Sequence, residues 1–184
     1  MKKHKPRVSI GIPVFNGERY LQDALDSVLA QTYTDFEIIV SDNASTDRTR
    51  DICLDYALRD PRIHYTRNEY NLGAAKNFNR VFQLSSGEYF KWAAHDDAIA
   101  PHFLIKCVEI LDRNPSVVLC YSGVKIIDES GKILGPFHVE LDHIVSSRPQ
   151  DRFGDLIFAD MWCFEVFGLI RAKELEKTPL IANH

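Results

Sequence analysis

Val8-Ser9-Ile10-Gly11-Ile12-Pro13-Val14 is a short β-branched run, and behind it Tyr20, Leu21, Ala24, Leu25, Val28 and Leu29 fall on one stripe at helical spacing. A period near two giving way to one near 3.6 marks a strand feeding a helix. The same change recurs down the chain. Phe36-Glu37-Ile38-Ile39-Val40 reads as a second strand, apolar enough to be buried on both faces. Ser45 and Asp47 stand as capping residues before a helix with apolar positions Ile52, Leu54, Tyr56, Ala57 and Leu58, which Asp60-Pro61 stops. Arg62 to Thr66 gives a third strand, and a helix from about Ala74 carries Phe78, Val81, Phe82 and Leu84. Tyr89 to Ala94 is a fourth strand, Pro101 opens a helix with Phe103, Leu104, Cys107, Val108 and Leu111 inward, and Val117 to Tyr121 is a fifth strand. Strands alternating with helices predict an α/β fold on a mainly parallel sheet.

Past Tyr121 the pattern loosens. Glu129-Ser130-Gly131-Lys132 reads as a hairpin turn between Val124 to Ile127 and Ile133-Leu134, residues 135–150 as a long loop, and Phe153 to Phe158 as a short helix. Cys163 to Ile170 is an apolar segment whose type the periodicity does not decide. With no internal repeat and no linker, residues 1–184 are expected to form one domain.

With 45% hydrophobic and 26% charged residues, the chain is an ordinary globular sequence, and at 184 residues it hides roughly 70% of its unfolded surface. The 22 Lys+Arg against 26 Asp+Glu leave a formal charge of −4, without the basic excess of a nucleic-acid binder. Lys2, Lys3, Lys5 and Arg7 read as a frayed, solvated tail, or as a weak contact for anionic lipid headgroups. Cys53, Cys107, Cys120 and Cys163 fit no CxxC spacing and are expected to be reduced core thiols. Ser9, Gly11 and Pro13 interrupt the first apolar run, so neither a signal peptide nor a spanning helix is read there, and the expected location is the cytoplasm.

Parallel α/β sheets bind ligands beyond the carboxyl ends of their strands. This chain puts Phe15-Asn16-Gly17-Glu18 after the first strand, Asp42-Asn43-Ala44-Ser45 at the end of the second and His95-Asp96-Asp97 after the fourth. No GxGxxG follows the first strand and no GxxxxGK[ST] occurs, which argues against dinucleotide oxidoreductases and P-loop NTPases. Adjacent carboxylates instead suit Mg²⁺ or Mn²⁺, which take one or two protein oxygens and complete their shells with water and phosphates. Bound to a diphosphate, such an ion makes it a better leaving group.

The blocks Ile12 to Leu21, Ser27 to Tyr33 and Phe36 to Asp47, followed by Asn71 to Asn77, Gly87-Glu88-Tyr89, Asp96-Asp97 and Asp112 to Pro115, closely resemble the family 2 glycosyltransferases of GT-A fold over roughly residues 7–130. Farther on, only Phe167-Gly168-Leu169-Ile170-Arg171 is similar. The resemblance implies a Rossmann-like three-layer α/β/α domain. Residues 1–130 would bind a nucleotide-sugar donor, and 131–184 would be an incomplete acceptor part truncated at its C-terminus. It also implies a metal-dependent, inverting transfer to a glycan or lipid-linked sugar acceptor in bacterial surface-polysaccharide synthesis, at the inner face of a membrane. Pro13, Phe15, Glu18, Asp42 and Lys76 would bind the nucleotide, with Asp42 accepting from a ring N–H of uracil, and Asp96 and Asp97 would hold the metal.

The sequence departs from the family pattern at three points. Ala94 stands where the acidic triplet has its first Asp, Asn43 replaces a frequent acid, and Glu165 is the nearest acid to serve as general base unless the base lies beyond His184. Each residue also has a plainer role: Asp42 and Asp47 as turn or cap residues, His95 as a local packing group, Lys76 as a solvated charge, and Trp92, Trp162 and Phe164 as core rings, the last two alternatively as the floor of a sugar site. Two other classes remain open, a non-catalytic nucleotide-binding module and a nucleotidyltransferase. The latter would need a glycine- and arginine-rich loop that Phe15 to Tyr20 does not supply.

Overall fold

A computed structural model describes residues 5–137, 145–158 and 164–182. They contain strands β1 (Val8–Val14), β2 (Phe36–Asp42), β3 (Ile63–Arg67), β4 (Tyr89–Trp92), β5 (Leu119–Cys120), β6 (Val124–Ile127), β7 (Ile133–Phe137) and β8 (Leu169–Arg171). The helices are α1 (Leu21–Leu29), α2 (Thr49–Arg59), α3 (Ala74–Gln83), α4 (Phe103–Arg113), α5 (Pro149–Phe158) and α6 (Ala172–Leu175). Two compact units result, one of Met1–Tyr121 with Phe167–His184, the other Ser122–Val166.

The first unit is built on a six-stranded sheet ordered β3-β2-β1-β4-β8-β5. β1 pairs in parallel with β2 and β4, and β2 with β3, as consecutive strand-helix units require. Pro13, with no N–H to donate, lies past the last β1–β4 pair, Gly11 with Trp92, and so interrupts no ladder on that side. Side chains alternate across the sheet. Ile10, Ile12, Tyr89 and Ala93 join Leu21 and Leu25 of α1, Ile52 and Cys53 of α2 and Leu104, Cys107 and Leu111 of α4 in one buried cluster. On the other face α3 lies so close to β1 that a Cβ on Gly11 would come within 2.6 Å of Val81. Phe90 packs edge-on to both Phe82 and Trp92, with centroids 4.9 and 5.0 Å apart. Trp92 is buried and donates its Nε1–H to Phe78 O at 2.9 Å, as expected of a core ring.

Several sequence readings are corrected. Leu54 and Leu58 are not core: Ile52, Cys53 and Tyr56 turn α2 inward, and Leu58 is 88% exposed. Arg7 is no frayed tail, because its guanidinium bridges Glu88 and Asp112, whose carboxylates accept at 2.8 to 3.1 Å, while Lys5 stays exposed and Lys2 and Lys3 lie outside the described residues. Ser45 does not cap α2. Asp47 alone accepts from the first turn, at Thr49 N. The fifth strand shrinks to Leu119–Cys120, and the slot beside β4 is taken by β8, antiparallel to both neighbours. The segment of undecided type is therefore a 3₁₀ turn, Phe164–Phe167, leading into that strand. Arg171 ends it, donating from its guanidinium to Leu111 O, Asn114 O and Val117 O and so pinning the end of α4 and the turn that follows it to β8.

The second unit holds the expected hairpin, β6 paired with β7, and α5. The long loop read over residues 135–150 is shorter on both sides, since β7 runs through Phe137 and α5 starts at Pro149. Phe137 and Phe164 stack edge-on at 5.2 Å. Trp162, Cys163 and His184 lie outside the described residues, and Cys53, Cys107 and Cys120 are free, buried thiols.

Candidate active site

β1 connects through α1 to β2 on one side, whereas α3 carries the chain back across to β4 on the other, so the winding reverses between β1 and β4. At such a switch point the outgoing loops diverge and leave a crevice at the carboxyl edge. The loops after β1, β2 and β4 meet there.

The first two loops are sewn together by five short bonds, with a longer sixth from Thr46 Oγ1 to Asn16 Oδ1. Asn16 N donates to Ser45 Oγ, Gly17 N to Thr49 Oγ1 and Glu18 N to Asp47 Oδ2, while Thr46 N donates to Asn16 Oδ1 and Arg48 N to Glu18 Oε2, all between 2.8 and 3.0 Å. Asn16 and Ala44 hold positive φ of 53° and 63°, the first in a residue type that tolerates it. The clasp leaves the Phe15 ring 44% exposed at the end of β1, whereas Pro13 is buried inside the strand. The Glu18 carboxylate is already engaged on the α2 entry.

Asp42 is completely buried. Its Oδ1 accepts from Ser45 N at 2.8 Å and its Oδ2 from the Tyr65 hydroxyl at 2.9 Å, with Arg67 Nε 3.4 Å away and Arg67 Nη2 donating to Ser45 O at 2.8 Å. Burial, and next the bond to Asp42, push the Tyr65 hydroxyl pKa up, so it remains a donor. Beside Asp42 runs an amide network that sequence reasoning missed. Asn43 Nδ2 donates to Asn71 Oδ1, Asn43 Oδ1 accepts from Leu72 N and Asn68 Nδ2, and Asn77 joins through Asn68 and Ser41. An acid at position 43 has no hydrogen to give Asn71, whose Oδ1 also accepts from Gly73 N, so Asn43 supplies a donor here that the frequent acid would not. The network delivers Gly73, at φ +85°, to the start of α3, with Lys76 exposed on its first turn.

After β4, the His95 ring packs on Gly17, where a Cβ would meet His95 Cδ2 at 2.7 Å, and His95 Nδ1 stands 4.0 Å from Asp96 Oδ1. The histidine thus ties the β4 loop to the β1 loop across the crevice. Asp96 and Asp97 are both exposed. Burial of the carboxyl, then the charge of Asp96, hold Asp97 above the usual carboxylate range, opposed by Lys91 and His95; the open surface of the residue keeps that shift modest. Among the described residues no three His, Cys, Asp or Glu side chains gather to hold a metal; a divalent ion at this loop would complete its shell with water and substrate phosphate oxygens. Two neighbouring acceptor-only carboxylates fit Mg²⁺ or Mn²⁺ in that way.

Glu165 falls in the second unit, half-buried in the turn Phe164–Phe167. Glu174 and Glu176 follow Arg171, which pairs with Tyr89 at the start of β4, so they lie at the edge of the sheet opposite Asp96. Lys91 was also overlooked. It is a buried lysine whose Nζ donates to Phe167 O and lies 4.5 Å from the centre of the Phe103 ring.

The family model for glycosyl transferase family 2 matches residues 9–167. The chain is 37% identical over 149 residues to an uncharacterised glycosyltransferase of Rickettsia typhi, covering 80% of this chain and 45% of that protein. It is 34% identical over 137 residues to TuaG of Bacillus subtilis, named a putative teichuronic acid biosynthesis glycosyltransferase, covering 74% and 54%. The chain thus spans about half the length of these relatives. Among solved structures, the mannosyltransferase PcManGT of Pyrobaculum calidifontis, in complex with GDP-Man and Mn²⁺, superposes with a TM-score of 0.67 at 22% identity, covering 97% of this chain and 48% of that one. TarS of S. aureus, residues 1–349 with UDP-GlcNAc, gives 0.64 at 19% identity over 93% and 47%. A parallel sheet winding outward from β1, with its loops gathered at one crevice, is the GT-A arrangement these structures share, and the chain belongs to glycosyl transferase family 2.

Proposed function

We propose that this chain is the donor-binding part of a metal-dependent, inverting glycosyltransferase that uses a nucleoside-diphosphate sugar, UDP favoured, and a hydroxyl acceptor in surface-polysaccharide synthesis. One observation carries the reading: the β1–β4 switch point is bordered by the exposed Phe15 ring on one side and the Asp96–Asp97 pair on the other. Phe15 offers a face for a base, Lys76 a charge for phosphate, and the two acids an oxygen pair for Mg²⁺ or Mn²⁺. The ion supplies charge neutralisation of the diphosphate leaving group. As folded, Asp42 shapes the loop beneath the base through Ser45, Tyr65 and Arg67; a direct bond from uracil requires one of those partners to yield. The general base is unassigned within unit one, and Glu165 is the candidate of unit two. The nucleotide sugars named for TarS and PcManGT and the pathway named for TuaG support this choice of donor class and setting.

A thermal-shift series with UDP, GDP and their sugars, with and without Mn²⁺, tests the reading, because a ligand of the native state raises apparent stability. Stabilisation by a nucleotide that needs Mn²⁺ and disappears in Asp96→Ala is the expected result. An equal shift in Asp96→Ala would remove the metal from the scheme, and no shift with any nucleotide would overturn the donor site.

A further inference from the structure

Lys91 is a buried charge in an otherwise apolar part of the core. It lies on β4 between Phe90 and Trp92 but points to the opposite face, among the residues of α4, and is only 5% exposed. Its Nζ, capable of three donations, has the Phe167 carbonyl and the face of Phe103 as partners, and among the described residues no carboxylate stands within ion-pair distance. A buried ammonium without a counter-ion is disfavoured, and such charges usually pair or neutralise. The register explains where the charge sits. Phe90 pairs with Ile170, so Phe167 lies past the end of β4, at the carboxyl edge from which Asp96 and Asp97 emerge. Lys91 extends along the strand toward that edge, and Asp97 is the carboxylate whose field it feels.

We propose that Lys91 is a positioning residue for the diphosphate: a fixed cation beneath the Asp96–Asp97 edge that favours binding of the anionic part of the donor without touching it. A nucleoside diphosphate added to two carboxylates carries more negative charge than one divalent ion cancels, and the low-dielectric interior transmits the remaining attraction. Burial lowers the Lys91 pKa to about 8, so the side chain is mostly charged at pH 7. The proposal rests on the donor-site reading above and gives Lys91 a role that neither the fold nor the amide network needs.

The experiment compares two probes of the folded chain at pH 7, UDP with Mn²⁺ by calorimetry and uridine by ligand-observed NMR. Lys91→Met is near-isosteric and removes a buried charge, so it folds. Lys91→Gln keeps a donor for Phe167 O. Both variants should weaken UDP–Mn²⁺ binding by about tenfold while leaving uridine within about twofold, since a charge effect follows the phosphates. Equal loss of both probes, unchanged UDP–Mn²⁺ affinity in Lys91→Met, or full retention in Lys91→Gln would each overturn the proposal. Asp96→Ala separates the two readings. If it leaves UDP–Mn²⁺ binding intact, the metal part of the donor-site reading fails and with it the charged edge Lys91 is placed beneath, whereas its loss alongside normal binding by Lys91→Met refutes only the role of the lysine.

Discussion

The imidazole of His95 rests on the α-carbon of Gly17, so close that a Cβ there would meet it at 2.7 Å and Val14 Cγ2 at 2.6 Å. Neither neighbour can yield freely, because Val14 is buried at the end of β1 and His95 leads directly into Asp96. Gly17→Ala should therefore cost about 1–3 kcal/mol by overpacking and weaken Mn²⁺-dependent nucleotide binding as the β4 loop shifts. Urea unfolding combined with nucleotide titration reads both effects, and a variant matching wild type in both would show that the contact is loose.

Asp42→Asn tests the buried carboxylate. Both of its oxygens accept from donors, so an amide NH₂ must face either Ser45 N, which cannot accept, or the Tyr65 hydroxyl, which accepts only by giving up its own donation and leaves Arg67 Nε without its carboxylate oxygen. The expected loss is about 1–3 kcal/mol, and Tyr65→Phe, which removes one donor and leaves the other bonds, should cost less. Denaturant midpoints at neutral pH decide the order.

Arg171→Lys keeps the charge but not the fork. One guanidinium serves Leu111 O, Asn114 O and Val117 O, and an ammonium on a flexible stem cannot match that spread. A loss of about 2 kcal/mol is expected, with faster hydrogen exchange at the end of α4 and along β8.

At alkaline pH, Lys91 adds stability as pH rises, opposed from about pH 9 by Cys53 and Cys107, whose thiol pKa values burial pushes up to about 12. Burial lowers the Lys91 pKa from the ordinary lysine value to about 8, so the unfolded chain binds the proton more tightly than the folded one. The sign follows from linkage: the penalty is fully present below about pH 8 and fades as pH rises toward the ordinary value, a gain on the order of 3 kcal/mol. Lys91→Met should be more stable than wild type at pH 7 and lack that rise in pH-dependent unfolding. At the acid end stability again rises with pH, but here the charged form is the one the fold favours. Asp112, held below the usual carboxylate range chiefly by its bond from Arg7, contributes stability above its ordinary pKa that is lost as pH falls through the lowered one, so Arg7→Met should flatten that limb.

The strands and helices through Arg113 were legible because each carries its own period, and the acids at the strand ends because α/β geometry sends ligands there. What escaped depended on partners distant in sequence. Leu58 lies on a plausible stripe, and only the turn of α2 that buries Cys53 and Tyr56 shows it to be outward. Arg7 reads as tail until Glu88 and Asp112 are brought to it. Asn43 looked like a lost acid and proved to be a hub, since its bonds reach Asn68, Asn71 and Leu72. For Lys91 the sequence does carry a signal, a lysine between Phe90 and Trp92 in a strand otherwise apolar.

The late strand β8 has a consequence for biosynthesis. Because it fills the place between β4 and β5, the edge of β4 that carries Tyr89 and Phe90 stays unpaired while all of Ser122–Val166 is being made. A nascent chain, or a fragment cut before Leu169, presents that apolar edge to any other strand. The sheet can finish only after the intervening unit has emerged from the ribosome, and the three residues Leu169–Arg171 act as the closing seam.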